Sequence, residues 1–211
     1  MTTKPFYTIP ALHLPTFTTD DLEKLSSAVQ RFNIEKMRFT PGGQLAVSEI
    51  AEEDLPEFTA LLRQFMKTMP ENGISIIFSC PGSKACKHGL RDTTVIAEKI
   101  QNLELVLPLP AKVKIAIAGC PRCCTMPRLR DIGLIPGAGG WHLYFGGNGG
   151  ANPRISDCLA ENLSTDETLE YMRLCLAIYQ EHAQPGMRTS RFVEKMGIKP
   201  FRKKLEKKLL P

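Results

Sequence analysis

The stretch "ISIIFSCPGSKAC", residues 74–86, joins an apolar run to a loop that carries two cysteines. A second stretch, "KVKIAIAGCPRCC" at residues 112–124, has the same organisation, because its apolar run also leads into a thiol-rich loop. Short apolar runs bounded by Gly and Pro are typical of buried strands. Ligands bind at the carboxyl ends of strands in open α/β sheets, so the two thiol loops are expected to meet at one sheet edge.

The chain after residue 74 continues to alternate between helix and strand patterns. Apolar residues recur at helical spacing in three stretches, residues 92–103, 164–182 and 188–197. Ser164 and Glu167 form a capping box at the start of the second of these helices. Further strands are predicted at "DIGLI" and "WHLYFGG". This half of the chain is therefore expected to be a mixed α/β domain.

The first 70 residues have a different pattern, typical of a small sheet covered by helices. Helices are predicted at residues 18–33 and 52–67, and a hairpin is predicted where "EKMRFT" and "QLAVSE" flank "PGG". A strand near "FYTIP" completes a unit of ferredoxin-like type. The fold class is therefore α+β, with a ferredoxin-like α/β N-terminal unit at residues 1–70. A mixed α/β domain follows at residues 71–199, and a basic C-terminal tail at residues 200–211.

Composition limits the function classes. Hydrophobic residues make up 43% and charged residues 23% of the 211 residues, as in ordinary globular proteins. No apolar run is long enough to span a membrane, and the N-terminus lacks the features of a signal peptide, so a cytoplasmic location is expected. The basic residues at 200–211 are not interleaved with aromatic residues, which argues against nucleic acid as a partner.

Four of the seven cysteines form two pairs. An odd number of cysteines without an export signal argues against a disulfide framework and favours metal or redox use. The pairs are Cys80 with Cys86 and Cys120 with Cys124. Their spacing by itself fits an iron–sulfur cluster, a zinc ion or redox thiols. Of the three remaining thiols, those at positions 158 and 175 are interpreted as structural.

The surroundings of these cysteines resemble the sulfite and nitrite reductase family. The resemblance is carried by "CPGSKACKHGLRDT", then "AKVKIAIAGCPRCCTMPRLRDIGL", then "WHLYFGGN", and it extends from about "MRFT" to "RFVEKMG". It implies a 4Fe-4S cluster held by Cys80, Cys86, Cys120 and Cys124. Cys124 is then also the axial ligand of a sirohaem. Residues 71–199 would form the sirohaem and 4Fe-4S binding domain, and Cys123, unusual for the family at this place, is interpreted as a spectator.

The resemblance also implies an activity. Family members reduce sulfite to sulfide or nitrite to ammonia with six electrons, which enter through the cluster from a donor such as a ferredoxin. A small anion must then be held beside an anionic macrocycle, which requires cations. Lys112, Lys114 and Arg38 are expected to contact the substrate, although solvated edge charges are the ordinary alternative. The expected sirohaem contacts are Arg122, Lys84, Asn148 and Arg154.

One departure from the family pattern leaves alternatives open. Family members typically carry two repeats that bind the cofactors where they meet, and this chain carries one. A homodimer would supply the missing cations, or the site is more open. Two other classes of function remain: a 4Fe-4S electron-transfer or sensing protein without haem, and a zinc-stabilised binding module.

Overall fold

The structure is a computed structural model that describes residues 6–13, 18–40, 44–68, 73–105 and 108–209. The chain divides into two compact units, Met1–Met69 and Pro70–Pro211, each with its own hydrophobic core. No helix in the described ranges is long and apolar enough to cross a membrane.

The N-terminal unit alternates strands and helices in the order β1 (Tyr7–His13), α1 (Thr19–Arg31), β2 (Met37–Phe39), β3 (Gln44–Val47), α2 (Leu55–Leu62) and β4 (Lys67–Thr68). The sheet order is β2-β3-β1-β4, and all three pairings are antiparallel. This connectivity is the ferredoxin-like βαββαβ arrangement that the sequence predicts. Strand β4 was not predicted from the sequence.

The first helix forms where its capping residues indicate. The Thr18 side chain accepts a hydrogen bond from the Asp21 N–H at 3.1 Å, and Asp21 accepts one from the Thr18 N–H at 2.9 Å. Such a capping box satisfies backbone donors that have no partner inside the helix. Leu25 and Phe58, from the two helices, are buried in the core. The predicted hairpin turn at residues 41–43 lies outside the described residues.

The C-terminal unit contains a five-stranded sheet and four α-helices within its described residues. Its elements are β5 (Ile74–Ser79), α3 (Thr94–Gln101), β6 (Val113–Ile117), β7 (Ile132–Pro136), β8 (Trp141–Phe145), β9 (Asp157–Leu163), α4 (Thr165–His182), α5 (Thr189–Met196) and α6 (Ile198–Leu209). The sheet order is β5-β6-β7-β8-β9. The pairings of β5 with β6 and of β6 with β7 are parallel, and those of β7 with β8 and of β8 with β9 are antiparallel. The predicted α+β fold class, with a mixed α/β second domain, is confirmed.

Two elements of this unit differ from the sequence pattern. Strand β9 has no alternation of apolar and polar residues, because its stabilisation comes from pairing with β8 at the sheet edge. Helix α6 contains the segment in which the sequence predicts a basic tail. Phe201 and Leu205 are both buried on one side of α6, and the Phe201 ring stacks on Phe145 at 5.0 Å between centroids. Burial of apolar side chains therefore holds α6 against the sheet and its helices.

Candidate cofactor site

Parallel pairing of β5 and β6 places the two thiol loops at the same sheet edge. Ser79, the last residue of β5, is the register partner of Ile117, the last residue of β6. The Cys80 N–H donates to the Ile117 carbonyl at 3.3 Å, so the pairing continues into the loop. We call residues 80–92 the first thiol loop and residues 119–131 the second thiol loop.

Close backbone contacts join the two loops. The N–H groups of Leu90 and Arg91 both donate to the Gly119 carbonyl, at 2.7 and 3.2 Å. A Cβ on Gly119 would lie 2.5 Å from the Gly82 Cα, and a Cβ on Gly89 would lie 2.3 Å from the Gly82 carbonyl carbon. Real Cβ atoms essentially never make contacts this short, so positions 89 and 119 require glycine.

The cysteine side chains lie on both sides of this contact. The Gly119 N–H donates to Cys80 Sγ at 3.0 Å, so an amide of the second loop reaches a thiol of the first. Cys120 is buried, Cys80 and Cys86 are half-buried, and Cys124 is exposed. All seven cysteines are free. The sulfurs of the first thiol loop are therefore in contact with the backbone of the second at Cys80.

The second thiol loop turns sharply at Cys123. Cys123 and Met126 have φ of 54° and 53°, in the left-handed region that non-glycine residues seldom adopt. The Cys123 N–H donates to the Cys120 carbonyl at 3.2 Å, and the Met126 N–H to the Cys123 carbonyl at 2.8 Å. Burial raises the pKa of the Cys123 thiol, which the Arg128 guanidinium partly opposes. Cys123 is thus kept as a neutral thiol more readily than an ordinary cysteine.

The second thiol loop then returns across the sheet. A Cβ on Gly133 of β7 would lie 2.2 Å from the Pro127 carbonyl oxygen, so the returning loop packs directly on the strand. The Arg128 guanidinium lies 5.0 Å from the Tyr144 ring centroid, and Arg130 lies 4.7 Å from that of Phe78. Stacking of guanidinium on aromatic rings is favourable, and here it anchors the loop to β8 and β5.

The residues present fit an iron–sulfur cluster, because four free cysteines on two joined loops can supply one thiolate to each iron of a cubane. Among the described residues, no group of three or more His, Cys, Asp or Glu side chains is arranged to hold a single metal ion. Beside Cys124, the Thr125 Oγ1 is buried and has no partner in the described chain.

Two of the four residues predicted to contact sirohaem, Lys84 and Arg154, are held in ion pairs in this structure. Lys84 forms an ion pair with Asp92 at 3.2 Å and donates to Thr94 Oγ1 at 2.8 Å. Arg154 donates to the Gly146 carbonyl at 2.8 Å and to Asp157 at 2.6 Å.

The other two predicted sirohaem residues differ from one another. The Asn148 side chain closes its own loop, because it donates to the Asn152 carbonyl at 2.7 Å and accepts from the Gly150 N–H at 3.2 Å. Arg122 is exposed, and no hydrogen bond or ion pair joins it to a residue that the structure describes. Arg122 is therefore the predicted sirohaem contact with the freest side chain.

The predicted substrate cations lie in different units. Lys112 is exposed and immediately precedes β6, and Lys114 is half-buried within β6. Arg38 lies on β2 of the N-terminal unit, where its guanidinium is 4.5 Å from the Phe6 ring centroid. The β6 pair is thus carried by the strand that leads into the second thiol loop.

A buried carboxylate directly before β7 is missed by sequence reasoning. Asp131 is 1% exposed and accepts hydrogen bonds from the Lys114 N–H at 2.9 Å and from the Arg188 and Thr189 side chains. It joins β6, the end of the second thiol loop and α5. The only signal in the sequence is a charged residue directly before the apolar run "IGLI".

The comparisons with known proteins agree with this site. A family model described as the nitrite and sulphite reductase 4Fe-4S domain matches residues 71–210. The assimilatory-type sulfite reductase of Nitratidesulfovibrio vulgaris is 35% identical over 194 residues, which cover 92% of this chain and 89% of that protein. The NAD(P)H nitrite reductase of Bacillus subtilis is 30% identical over 190 residues. That match covers 90% of this chain but 24% of the relative, so the chain spans about a quarter of it.

A solved structure shows the same fold. The Mycobacterium tuberculosis NirA protein superposes with a TM-score of 0.75 at 21% identity, over 94% of this chain and 38% of that one. The family predicted from the thiol loops is therefore confirmed, as are its two cofactors, the 4Fe-4S cluster and sirohaem, and its oxidoreductase chemistry. By its two interlocked thiol loops and by these similarities, the chain belongs to the nitrite and sulphite reductase 4Fe-4S domain family.

Proposed function

We propose that this protein is a sirohaem-dependent reductase that carries out the six-electron reduction of sulfite to sulfide. The observation that carries the proposal is the joining of two thiol loops, with four free cysteines at the expected positions, by backbone contacts around Gly119. The similarity to an assimilatory-type sulfite reductase over 89% of that protein's length supports sulfite as the substrate.

The cysteines of the two loops would hold the cofactors. When bound, the 4Fe-4S cluster supplies a path for electrons and the sirohaem supplies the iron at which the anion is reduced. Cys80, Cys86, Cys120 and Cys124 are the proposed cluster ligands. Cys124 is exposed, whereas Cys120 is buried. This difference supports Cys124 as the thiolate that would also bind the sirohaem.

Cations of this chain would hold the anion and move protons. Lys112, Lys114 and Arg38 remain the proposed substrate contacts, since sulfite carries negative charge that a ring of haem carboxylates would repel. Arg122 is the proposed sirohaem carboxylate contact best supported by its exposure. Lys84, Asn148 and Arg154 are proposed with it, but Lys84 and Arg154 would have to share or leave their carboxylate partners.

Nitrite is the second candidate substrate. The similarity to a nitrite reductase of Bacillus subtilis over 90% of this chain favours it. Sulfite and nitrite are both small anions that need cations and six electrons, so the same residues serve either reaction. A 4Fe-4S electron-transfer or sensing protein without catalysis would share the four cysteines but need no substrate cation.

The first test is activity of the anaerobically purified holoenzyme with reduced methyl viologen and each anion in turn. Sulfide from sulfite is the expected product, and ammonia from nitrite would favour the second candidate. Bound cofactors without reduction of either anion would leave the electron-transfer protein as the better description.

The cation set is tested by substitution. Replacing Lys112, Lys114 or Arg38 singly by Met should lower turnover about tenfold or more, because anion stabilisation and proton supply are lost, while the haem absorption bands persist. Lys24→Met is a matched control, since Lys24 is an exposed cation paired with Asp20 on α1. Full activity in all three variants would identify these residues as solvated surface charges.

Three further parts of the proposal concern the oligomeric state, the electron donor and the location of the enzyme. A second copy of the chain supplies the remaining cations around the substrate, electrons come from a donor such as a ferredoxin, and the location is cytoplasmic. A sedimentation measurement that finds the active holoenzyme as a monomer would exclude the first of these.

A further inference from the structure

Helix α6 presents basic side chains on a rigid support. Its apolar residues Phe201 and Leu205 are 0% and 3% exposed. The Phe201 ring also contacts Phe192 of α5 edge-on, at 6.0 Å between centroids. A helix held in this way displays its charges at fixed positions, unlike a loose basic tail.

Three lysines of α6 recur at intervals of four residues. Lys199, Lys203 and Lys207 are all exposed, and residues four apart lie on one helix face. We call them the lysine stripe. None of the three forms a hydrogen bond or ion pair with any part of the chain that the structure describes. Lys208, by contrast, is paired with Glu181 at 3.2 Å.

The lysine stripe is unfavourable for the helix itself. Like charges four residues apart destabilise a helix, and a cation near the helix N-terminus opposes the helix dipole. Lys199 lies in the first turn of α6, which has no acidic residue. A negatively charged surface docked on the stripe would remove both penalties.

Packing connects α6 to the second thiol loop. Phe145, on which Phe201 stacks, is the last residue of β8. The next two N–H groups, of Gly146 and Gly147, donate to the Asp131 and Arg130 carbonyls, each at 2.9 Å. Those two residues end the second thiol loop. The helix therefore packs on the strand that supports this loop.

We propose that the lysine stripe is the docking surface for a small acidic electron-carrier protein. The inference rests on the proposed function, since a six-electron reductase must receive its electrons in successive encounters with a donor. In each encounter the carrier would lose one electron, and a cluster held by the thiol loops would accept it. Complementary charge speeds such encounters and orients the partners without requiring tight binding.

The test compares two donors on the same holoenzyme. In the variant K199Q/K203Q/K207Q, glutamine removes the charge and keeps helix propensity. With a reduced plant-type 2Fe-2S ferredoxin as the acidic carrier, the KM for the carrier should rise about tenfold at low ionic strength, and its dependence on salt should flatten. With reduced methyl viologen, a small cation, kcat should stay unchanged.

The matched control removes the same charge elsewhere. Lys24, Lys36 and Arg63 are exposed residues of the N-terminal unit, and K24Q/K36Q/R63Q should leave the KM for ferredoxin within about twofold of wild type. An equal rise in KM in this control would show that only the net charge of the protein matters, and it would overturn the proposal. An unchanged KM for ferredoxin in the stripe variant would also overturn it.

Binding without turnover separates this proposal from the proposed function. Wild-type protein should be retained on immobilised ferredoxin at low salt, and the stripe variant should elute early. If methyl viologen drives reduction of neither anion, the proposed function fails, while retention still decides the docking surface. Loss of binding to RNA or to phosphatidylserine vesicles, with ferredoxin retention intact, would assign the stripe to another polyanion and overturn the proposal.

Discussion

At the residue scale, the neighbouring thiols Cys123 and Cys124 have different surroundings. Cys124 is exposed, whereas Cys123 is half-buried at a left-handed turn and burial raises its pKa. The difference supports the assignment of Cys124 to the cluster and of Cys123 to a spectator role.

Substitution of single cysteines tests this assignment. Cys80→Ser or Cys86→Ser should abolish the cluster, because one iron loses its thiolate, whereas Cys123→Ser should keep both cofactors. Iron and acid-labile sulfide, measured on anaerobic protein together with the haem bands, report the result. Loss of haem from the Cys123→Ser protein alone would show that the bridging sulfur has been misassigned.

Tyr179 gives stability a dependence on alkaline pH. Burial, and next the charge of Asp131, raise the pKa of this tyrosine to about 12, and its hydroxyl donates to the Met187 carbonyl. Above about pH 10 the unfolded chain releases the phenolic proton while the folded protein keeps it. The folded state then binds more protons, so the free energy of unfolding falls as pH rises from 10 towards 12.

Urea unfolding of wild type and Tyr179→Phe between pH 9 and 11.5 measures this contribution. The wild-type stability should decrease more steeply with pH than that of the variant, because phenylalanine cannot titrate. Parallel slopes for the two proteins would mean that Tyr179 titrates normally in the folded state.

At the element scale, the second thiol loop is held by backbone packing on β7. The Pro127 carbonyl occupies the space where a side chain at Gly133 would stand. Gly133→Ala should therefore push the loop off the sheet and cost about 1–3 kcal/mol of stability, with loss of bound cluster. Gly150→Ala is the control, since its nearest heavy-atom contact would be 3.3 Å. Equal stability of both variants, measured by chemical unfolding, would contradict this packing.

Asp131 joins three elements that carry or support the site. Asp131→Ala would leave the Lys114 N–H, the Thr189 hydroxyl and the Arg188 guanidinium without their shared acceptor. Removing one partner of a buried ion pair lowers the free energy of unfolding by about 3 kcal/mol or more. The loss here should be somewhat smaller, because the Arg188 side chain is partly exposed. Asp166→Ala, which removes an exposed pair with Lys99, should cost less than about 1 kcal/mol. Similar unfolding midpoints would refute the role of Asp131.

At the scale of the whole molecule, α6 is part of the folded C-terminal unit. Phe201 is fully buried and contacts rings of both β8 and α5. Phe201→Ala should therefore lower the free energy of unfolding by about 3–5 kcal/mol, as for other buried aromatic residues. Lys203→Ala, on the exposed side of α6, should change it by less than about 0.5 kcal/mol. A small effect of Phe201→Ala would indicate that α6 contributes little to the core.

Much of the architecture could be predicted from local patterns. The two capping boxes, the helical spacing of α1 and α4, and the strands before the thiol loops depend on residues close together in the chain. Strands β4 and β9 were missed, because their pairing partners rather than their own residues stabilise them. The cysteine spacing alone left a cluster, zinc and redox thiols open, and the motifs around the cysteines indicated the family.

Only the tertiary structure decided which polar groups are already engaged. From the sequence, Lys84, Asn148 and Arg154 are expected to be available to a cofactor, yet each has partners in the fold. Asp131 and Arg188, far apart in the chain, meet beside the start of β7, and no periodicity predicts their contact. The sequence by itself determined the positions of the cysteines, most of the helices and strands, and the resemblance to the family, because these depend on residues close together in the chain. The partners of each charge were decided by packing, because only the folded chain brings distant residues within hydrogen-bonding distance.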